Sequence, residues 1–241
     1  VSPNTFPAPW GGHNNFVNDC SRNELVVSQL NELSNVVKWT FCDVKDTYSK
    51  TPRWPVKEGL SYWENWENVT YIPLAFDSIN YKPIYDKNWN YDVAYLGGYA
   101  DNGLNTKIKI MKEHFAAFKD SGLNCGFFVE KNLTHEQECK LLTNAKVCIN
   151  IHDDYQRQLG LDTNERTFKA LGLNGSLVSD RNRCVSALFP PTKGVLICSD
   201  PYDMVAKVRD YLDLQDWKEQ NRENILTNHT YIHRCKLLEQ L

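Results

Sequence analysis

From Asp92 to the end, the chain alternates short apolar runs with amphipathic stretches about five times, and this rhythm narrows the possible folds more than any other feature. Asp92-Val-Ala-Tyr-Leu-Gly97, Cys125 to Val129, Val147 to Ile151, Ser176 to Ser179 and Gly194 to Cys198 read as strands. Their apolar residues run on without a break instead of alternating, as in strands covered on both faces. Between them, Leu104 to Ser121 carries Ile108, Met111, Phe115 and Phe118 at helical spacing, with Gly122 as a stop. Thr134 to Ala145 opens with Thr134 and Gln137, the spacing of a capping box. Asn164 to Leu173 is a helix that ends at Asn174-Gly175, a left-handed cap. Asp200 caps a helix through Leu212 with Pro201 at its first position, and a last helix from about Leu214 to Leu241 breaks near Asn228. Such alternation predicts an α/β domain with a Rossmann-like parallel sheet, whose ligands lie at the carboxyl ends of the strands.

The first part differs. Six of the seven tryptophans and seven of the ten prolines fall within residues 1–89, so a domain boundary is expected near Asn88–Asn90. Residues 1–89 then form a reduced α/β lobe, with a helix over Cys20 to Leu33 and strands over Val36 to Cys42 and Val69 to Ile72. Residues 90–241 form the Rossmann-like domain. A net charge of −3 and a pI of about 6.1 argue against a general basic surface for nucleic acid. No apolar run approaches 18 residues, so no transmembrane segment is expected. The segment Val1-Ser2-Pro3-Asn4 does not read as a secretory signal, and a start without Met is what a domain cut from a longer protein would show. None of the eight cysteines forms a C-x-x-C, and Cys42, Cys125, Cys148 and Cys198 lie in apolar runs as buried free thiols do. A reducing, cytoplasmic location is expected. The four N-x-[ST] sequons are read as chance, Asn174 because it falls in a tight helix–strand connection.

Strand ends direct attention to four loops: Gly97–Asn105, Glu130–Thr134, Asn150–Asn164 and Asp180–Arg183. Gly97, Gly98 and Tyr99 end the first strand, where bare backbone lets a phosphate or sugar come close. This is neither a G-x-G-x-x-G nor a P-loop. Asn150, His152 and Asp153 follow the third strand as hydrogen-bonding groups for hydroxyls. The richest segment runs from Asp162 to Gly175. Asp162, Thr163 or Asn164 caps its helix, whose first N–H groups and dipole favour an anion. Arg166 opposes that dipole in the first turn and makes sense beside a diphosphate, so its loss should weaken binding with little loss of stability.

Several of these pieces occur together in one known family. Val69-Thr-Tyr-Ile-Pro-Leu-Ala-Phe-Asp77 precedes Tyr81-Lys-Pro83, and Tyr91-Asp-Val-Ala-Tyr-Leu-Gly97 follows. Further on come Leu142-Thr-Asn-Ala-Lys-Val-Cys-Ile-Asn150, Asn164-Glu-Arg-Thr-Phe168 with Gly175, and His229-Thr-Tyr-Ile-His-Arg234. In order and spacing these resemble the nucleotide-binding domain of GT-B glycosyltransferases, above all the spore-maturation-like group with a "glycosyl transferases group 1" C-terminal domain. Small enzymes of this look also occur in large algal viruses. The resemblance implies a hexosyl- or pentosyltransferase that moves sugar from a nucleotide-diphosphate donor, most simply a UDP-sugar, to a glycan or other hydroxyl. It implies a donor site on Gly97, Gly98, Tyr99, Asn150, His152, Asn164, Glu165, Arg166, Thr167 and Lys169. The family usually has Glu, a ribose contact, where Lys169 stands. Either Glu165 or another carboxylate takes the ribose hydroxyls, or Lys169 meets a phosphate instead.

The sequence holds no Asp-x-Asp to seat a divalent metal, so a metal-independent site without cofactor is expected. His13, after Gly11-Gly12, or Asp19 is the expected catalytic base, with Asp43, Asp46, Glu64 or Asp77 in reserve. Two other readings stay open. One is a non-catalytic carbohydrate- or nucleotide-binding module; the other is a GT-B-shaped sugar-nucleotide epimerase.

Overall fold

A computed structural model describes residues 24–43, 65–99, 106–189, 194–212 and 216–241. The chain forms two compact units, Val1–Pro73 with Lys236–Leu241, and Leu74–Cys235. The composition changes near residue 89, but the second unit starts earlier because residues 74–89 pack on its helices. Phe76 lies in its core, Tyr81 Oη donates to Glu138 Oε2 at 2.9 Å, and Asn144 Nδ2 donates to Ile84 O at 2.7 Å.

In the first unit, α1 (Glu24–Glu32) buries Val27, and β1 (Trp39–Thr40) pairs in parallel with β2 (Thr70–Tyr71). Both strands lie inside the segments that the sequence marks, though each is only two residues long.

The second unit holds five parallel strands: β3 (Val93–Gly97), β4 (Cys125–Val129), β5 (Val147–Asn150), β6 (Leu177–Asp180) and β7 (Val195–Cys198). Their order is β4-β3-β5-β6-β7. Helices α2 (Lys107–Lys119), α3 (His135–Asn144), α5 (Glu165–Leu173), α6 (Arg183–Leu188), α7 (Pro201–Leu212) and α8 (Lys218–Asn228) supply the layers on the two faces of the sheet; α4 (Asp154–Leu159) follows β5, and α9 (Tyr231–Leu238) follows α8. Val93, Tyr95, Val147 and Ile149 point into a layer with Ile110, Met111, Phe118, Met204 and Val208 from α2 and α7. Ala94 and Cys148 point the other way, toward Leu141, Leu142, Phe168, Leu171 and Ile225 from α3, α5 and α8. Both faces are dry, which is why these strands have no polar side.

The expected caps form. Thr134 Oγ1 accepts from Gln137 N–H while Gln137 Oε1 accepts from Thr134 N–H. Asp200 Oδ1 accepts from Tyr202 and Asp203 N–H groups. Gly175 ends α5 at φ +82°, and the final helix breaks after Asn228. Two short helices were not expected, although each carries its cap in the sequence. α4 starts at Asp153 with Gln156 three residues on, and α6 starts at Asn182, whose side chain accepts from Val185 N–H. Asn174 is buried, its amide donating to Leu142 O and Ala145 O, so that sequon is closed to modification in the folded chain. The seven cysteines among the described residues are free thiols, five of them buried. Among the described residues no helix is long and apolar enough to cross a membrane.

Candidate functional site

The strand order reverses between β3 and β5, because the chain leaves β3 toward β4 on one side and returns to β5 on the other. A crevice opens at such a point beyond the carboxyl ends of the strands. The residue that fills it is Arg166, reaching from the first turn of α5. Its Nε donates to Leu96 O, and its Nη1 donates to Asn150 Oδ1 at 2.7 Å and to Ile151 O at 3.3 Å. Its guanidinium carbon lies 4.5 Å from the centre of the Tyr95 ring. A methyl on Gly97 would overlap the guanidinium, so this glycine makes room for Arg166. The sequence reading sets bare Gly97 backbone under a ligand; in the structure the Arg166 guanidinium lies against this glycine. Against the expectation that its loss costs little stability stand the hydrogen bonds of Arg166 to Leu96 O, Asn150 Oδ1 and Ile151 O. An Arg at a helix start is unfavourable against the dipole, but here it meets the carbonyl ends of two parallel strands.

Asn150 is the second anchor. With its oxygen on Arg166, its amide nitrogen lies 2.8 Å from Thr167 Oγ1 and 3.0 Å from Asn164 Oδ1. Asn164 precedes α5 but caps nothing with its side chain, which is engaged with Asn150 instead. Behind Asn150 lies a buried polar chain. Thr167 Oγ1 is 2.6 Å from Thr163 Oγ1, which is 2.7 Å from His152 Nε2. His152 Nδ1 is 2.6 Å from Asp180 Oδ1, and both side chains are almost wholly buried. Burial alone would push the Asp180 carboxyl up, but His152 and Arg157 beside it hold it below the usual carboxylate range.

Lys107, the first residue of α2, adds a second cation that the sequence did not single out. It is 2% exposed and its ammonium lies 3.3 Å from Asp153. Burial pushes its pKa down to about 8; Asp153 opposes that and the Arg166 charge adds to it. No motif marks it, because the isolated lysine of a helix start looks like any other surface lysine.

The remaining expected residues separate from this cluster. Glu165 and Lys169 lie on another side of α5. Lys169 Nζ is 3.0 Å from Glu138 Oε1, 3.7 Å from Glu165 Oε2 and 4.5 Å from the Tyr81 ring centre. Glu165 Oε1 accepts from Tyr231 Oη at 3.1 Å. Gly98 is exposed beside Glu130, and Tyr99 is half-buried against the apolar layer of α2 and α7. Asp77 is spent on a turn, accepting from Ile79 and Asn80, which lowers its pKa. Asp43 lies among the described residues of the first unit. His13, Asp19, Asp46 and Glu64 lie outside the described residues.

A protein-family model described as "Glycosyl transferase-like" matches residues 109–240, more than half of the chain. The chain belongs to the glycosyl transferase-like family. It is also similar in structure to sucrose-phosphate synthase from Thermosynechococcus elongatus, with a TM-score of 0.58 and 10% identity over 90% of this chain and 60% of that one. A second similar structure is TarM, with a TM-score of 0.55 and 14% identity over 95% of this chain and 47% of that one. The chain thus spans about half to three fifths of these neighbours. No curated protein matches in sequence. The fold is α/β of the GT-B type, as the sequence resemblance implies. In this glycosyltransferase fold, the Arg166 cluster occupies the strand ends where the crevice opens.

Proposed function

We propose that this glycosyltransferase takes its sugar from a nucleotide-diphosphate donor, UDP- or GDP-linked, and passes it to a hydroxyl of a glycan without a metal ion. The observation that carries this reading is the pair of cations, Arg166 and Lys107, held at the switch point of the sheet. In the transfer, the bond between the anomeric carbon and the donor phosphate breaks and a bond to the acceptor oxygen forms. Negative charge develops on the departing diphosphate, and fixed cations beside it lower the barrier most because they need no reorganisation. The acceptor proton passes to a base or, in a retaining transfer, to the leaving diphosphate. The diphosphate would lie against Arg166 and the start of α5, with Lys107 on its β3 side.

Lys107 sets a pH signature. Its ammonium is charged below about pH 8 and neutral above it. A bound diphosphate favours the charged form, so nucleotide affinity falls as pH rises through about 8, and binding near that pH takes up a proton. Calorimetry with UDP and GDP, in buffers of different ionisation enthalpy and with EDTA, checks each point. Binding of either nucleotide with proton uptake and no effect of EDTA is expected. A strict need for manganese or magnesium in turnover, or no binding of either nucleotide, would overturn the reading.

A further inference from the structure

We infer that Asp180, at the end of β6, is a positioning residue that sets the direction of a buried hydrogen-bond relay and so holds Arg166 ready for the donor. The inference deepens the donor reading above and rests on it. The direction follows from counting protons. An ionised Asp180 only accepts: Oδ1 takes His152 Nδ1–H, and the His152 backbone N–H lies 3.2 Å from Oδ1 and 3.0 Å from Oδ2. Arg157 Nε lies 3.3 Å from Oδ2. In a neutral His152 that carries its proton on Nδ1, Nε2 is an acceptor. Its surroundings agree, since the Asn150 amide nitrogen lies 3.3 Å away and the Thr163 hydroxyl 2.7 Å away. Thr163 therefore donates to His152, Thr167 donates to Thr163, and the Asn150 amide donates to Thr167. Each hydroxyl has a single proton, so every step fixes the next. The relay leaves Asn150 one orientation, with its oxygen toward Arg166 Nη1.

Reversal shows what Asp180 contributes. A proton on Nε2 instead of Nδ1 would turn the Thr163 and Thr167 hydroxyls toward Asn150, where they would meet an amide that is also donating. The conflict is relieved when the amide turns over, with the Asn164 amide turning to donate to it, and sets its NH2 group against the guanidinium. Arg166 would then lose its side-chain acceptor while keeping Leu96 O and Ile151 O. An amide at residue 180 brings this about. Its NH2 in place of Oδ2 would face two donors, whereas in place of Oδ1 it is accommodated by moving the ring proton to Nε2. A carboxylate that selects a histidine tautomer is known to act this way in catalytic triads.

The test uses protein with 15N-labelled histidine and arginine, and the variants D180N, T163V, T163S and D180N/T163V. Long-range 1H–15N spectra should show His152 with Nδ1 protonated in the wild type and Nε2 protonated in D180N. The Arg166 Nε resonance should shift in both D180N and T163V. Affinity for UDP or GDP should fall about tenfold in each, no further in the double variant, and return in T163S. An unchanged tautomer in D180N, or losses that add in the double variant, would overturn the inference. Should D180N fail to fold, T163V decides: it keeps the side-chain volume and breaks the same relay, so unchanged affinity and an unmoved Arg166 resonance would count against it. Should the wild type bind neither nucleotide, the donor reading fails. The tautomer and the Arg166 resonance then judge the relay alone.

Discussion

Arg166 and Lys169 lie three residues apart on α5, and their partners differ in kind. Arg166 is held by two strand-end carbonyls and a buried amide whose own orientation is fixed. Lys169 is held by two flexible carboxylates and the face of Tyr81. The first set is directional, and each member removed leaves another buried group unpaired. The second can rearrange, and water can replace a lost partner. One helix turn therefore carries a preorganised face and an adaptable one, and only the first suits a site that must meet charge without reorganising.

The largest effect separates the two faces directly. Arg166→Ala leaves Leu96 O, Ile151 O and Asn150 Oδ1 without their donor, so unfolding stability should drop by about 2–4 kcal/mol. Nucleotide affinity should fall by roughly 1.5–3 kcal/mol in the protein that stays folded. Urea unfolding and calorimetry read these separately. Loss of affinity with wild-type stability would show that the strand-end bonds add nothing and would collapse the contrast between the faces.

A second effect tests how complete the directional face is. Asp162, just before α5, is buried; its Oδ2 accepts from Gln156, while Oδ1 has no hydrogen-bond partner among the described residues. Burial raises its pKa to about 6, with the nearby Asp153 adding to the rise and the Gln156 and Tyr155 bonds opposing it. Between about pH 4 and 6 the folded chain keeps this proton and the unfolded chain releases it, so stability falls as pH rises through that window. The cost is complete at pH 7 and amounts to roughly 2–3 kcal/mol. Asp162→Asn abolishes that pH dependence. Stability at pH 7 minus stability at pH 4, read by urea unfolding, should be greater in the variant than in the wild type by about that amount, and an equal value in both proteins would mean Oδ1 is solvated.

The smallest effect belongs to Lys169. Lys169→Ala removes a mostly buried ion pair with Glu138, a more exposed one with Glu165 and one cation–π contact, which together stabilise by about 1–2 kcal/mol. Nucleotide affinity should not change. A loss comparable with that of Arg166→Ala would bring Lys169 back to the donor site that the sequence assigned to it.

Much of the scaffold was legible because it depends on local chemistry. Unbroken apolar runs mean strands covered on both faces, whatever their partners. The Thr134–Gln137 and Asp200–Pro201 caps act within one turn, so they are visible without the rest of the fold. The same local chemistry marked α4 and α6 through Asp153 with Gln156 and through Asn182, but these helices are too short to show periodicity. The candidate site was only partly legible. Arg166 stood out because a cation at a helix start needs a reason, Asn150 and His152 as polar residues after a strand, and Asn164 and Thr167 as members of the helix-start motif. The family resemblance grouped Glu165 and Lys169 with them, and a motif read along the chain does not say which side of a helix each residue takes.

What the sequence determined by itself was the order of the five strands and of the longer helices, since propensity, capping and apolar periodicity operate over a few residues. What only the tertiary structure decided was the strand order β4-β3-β5-β6-β7 and everything that depends on it. That order sets Leu96 O beside Ile151 O, lets Arg166 join them over Gly97, and brings Asp180 to His152 across 28 residues of chain. Contacts at such separation are selected by the packing of the whole domain, and no local pattern in the chain encodes them.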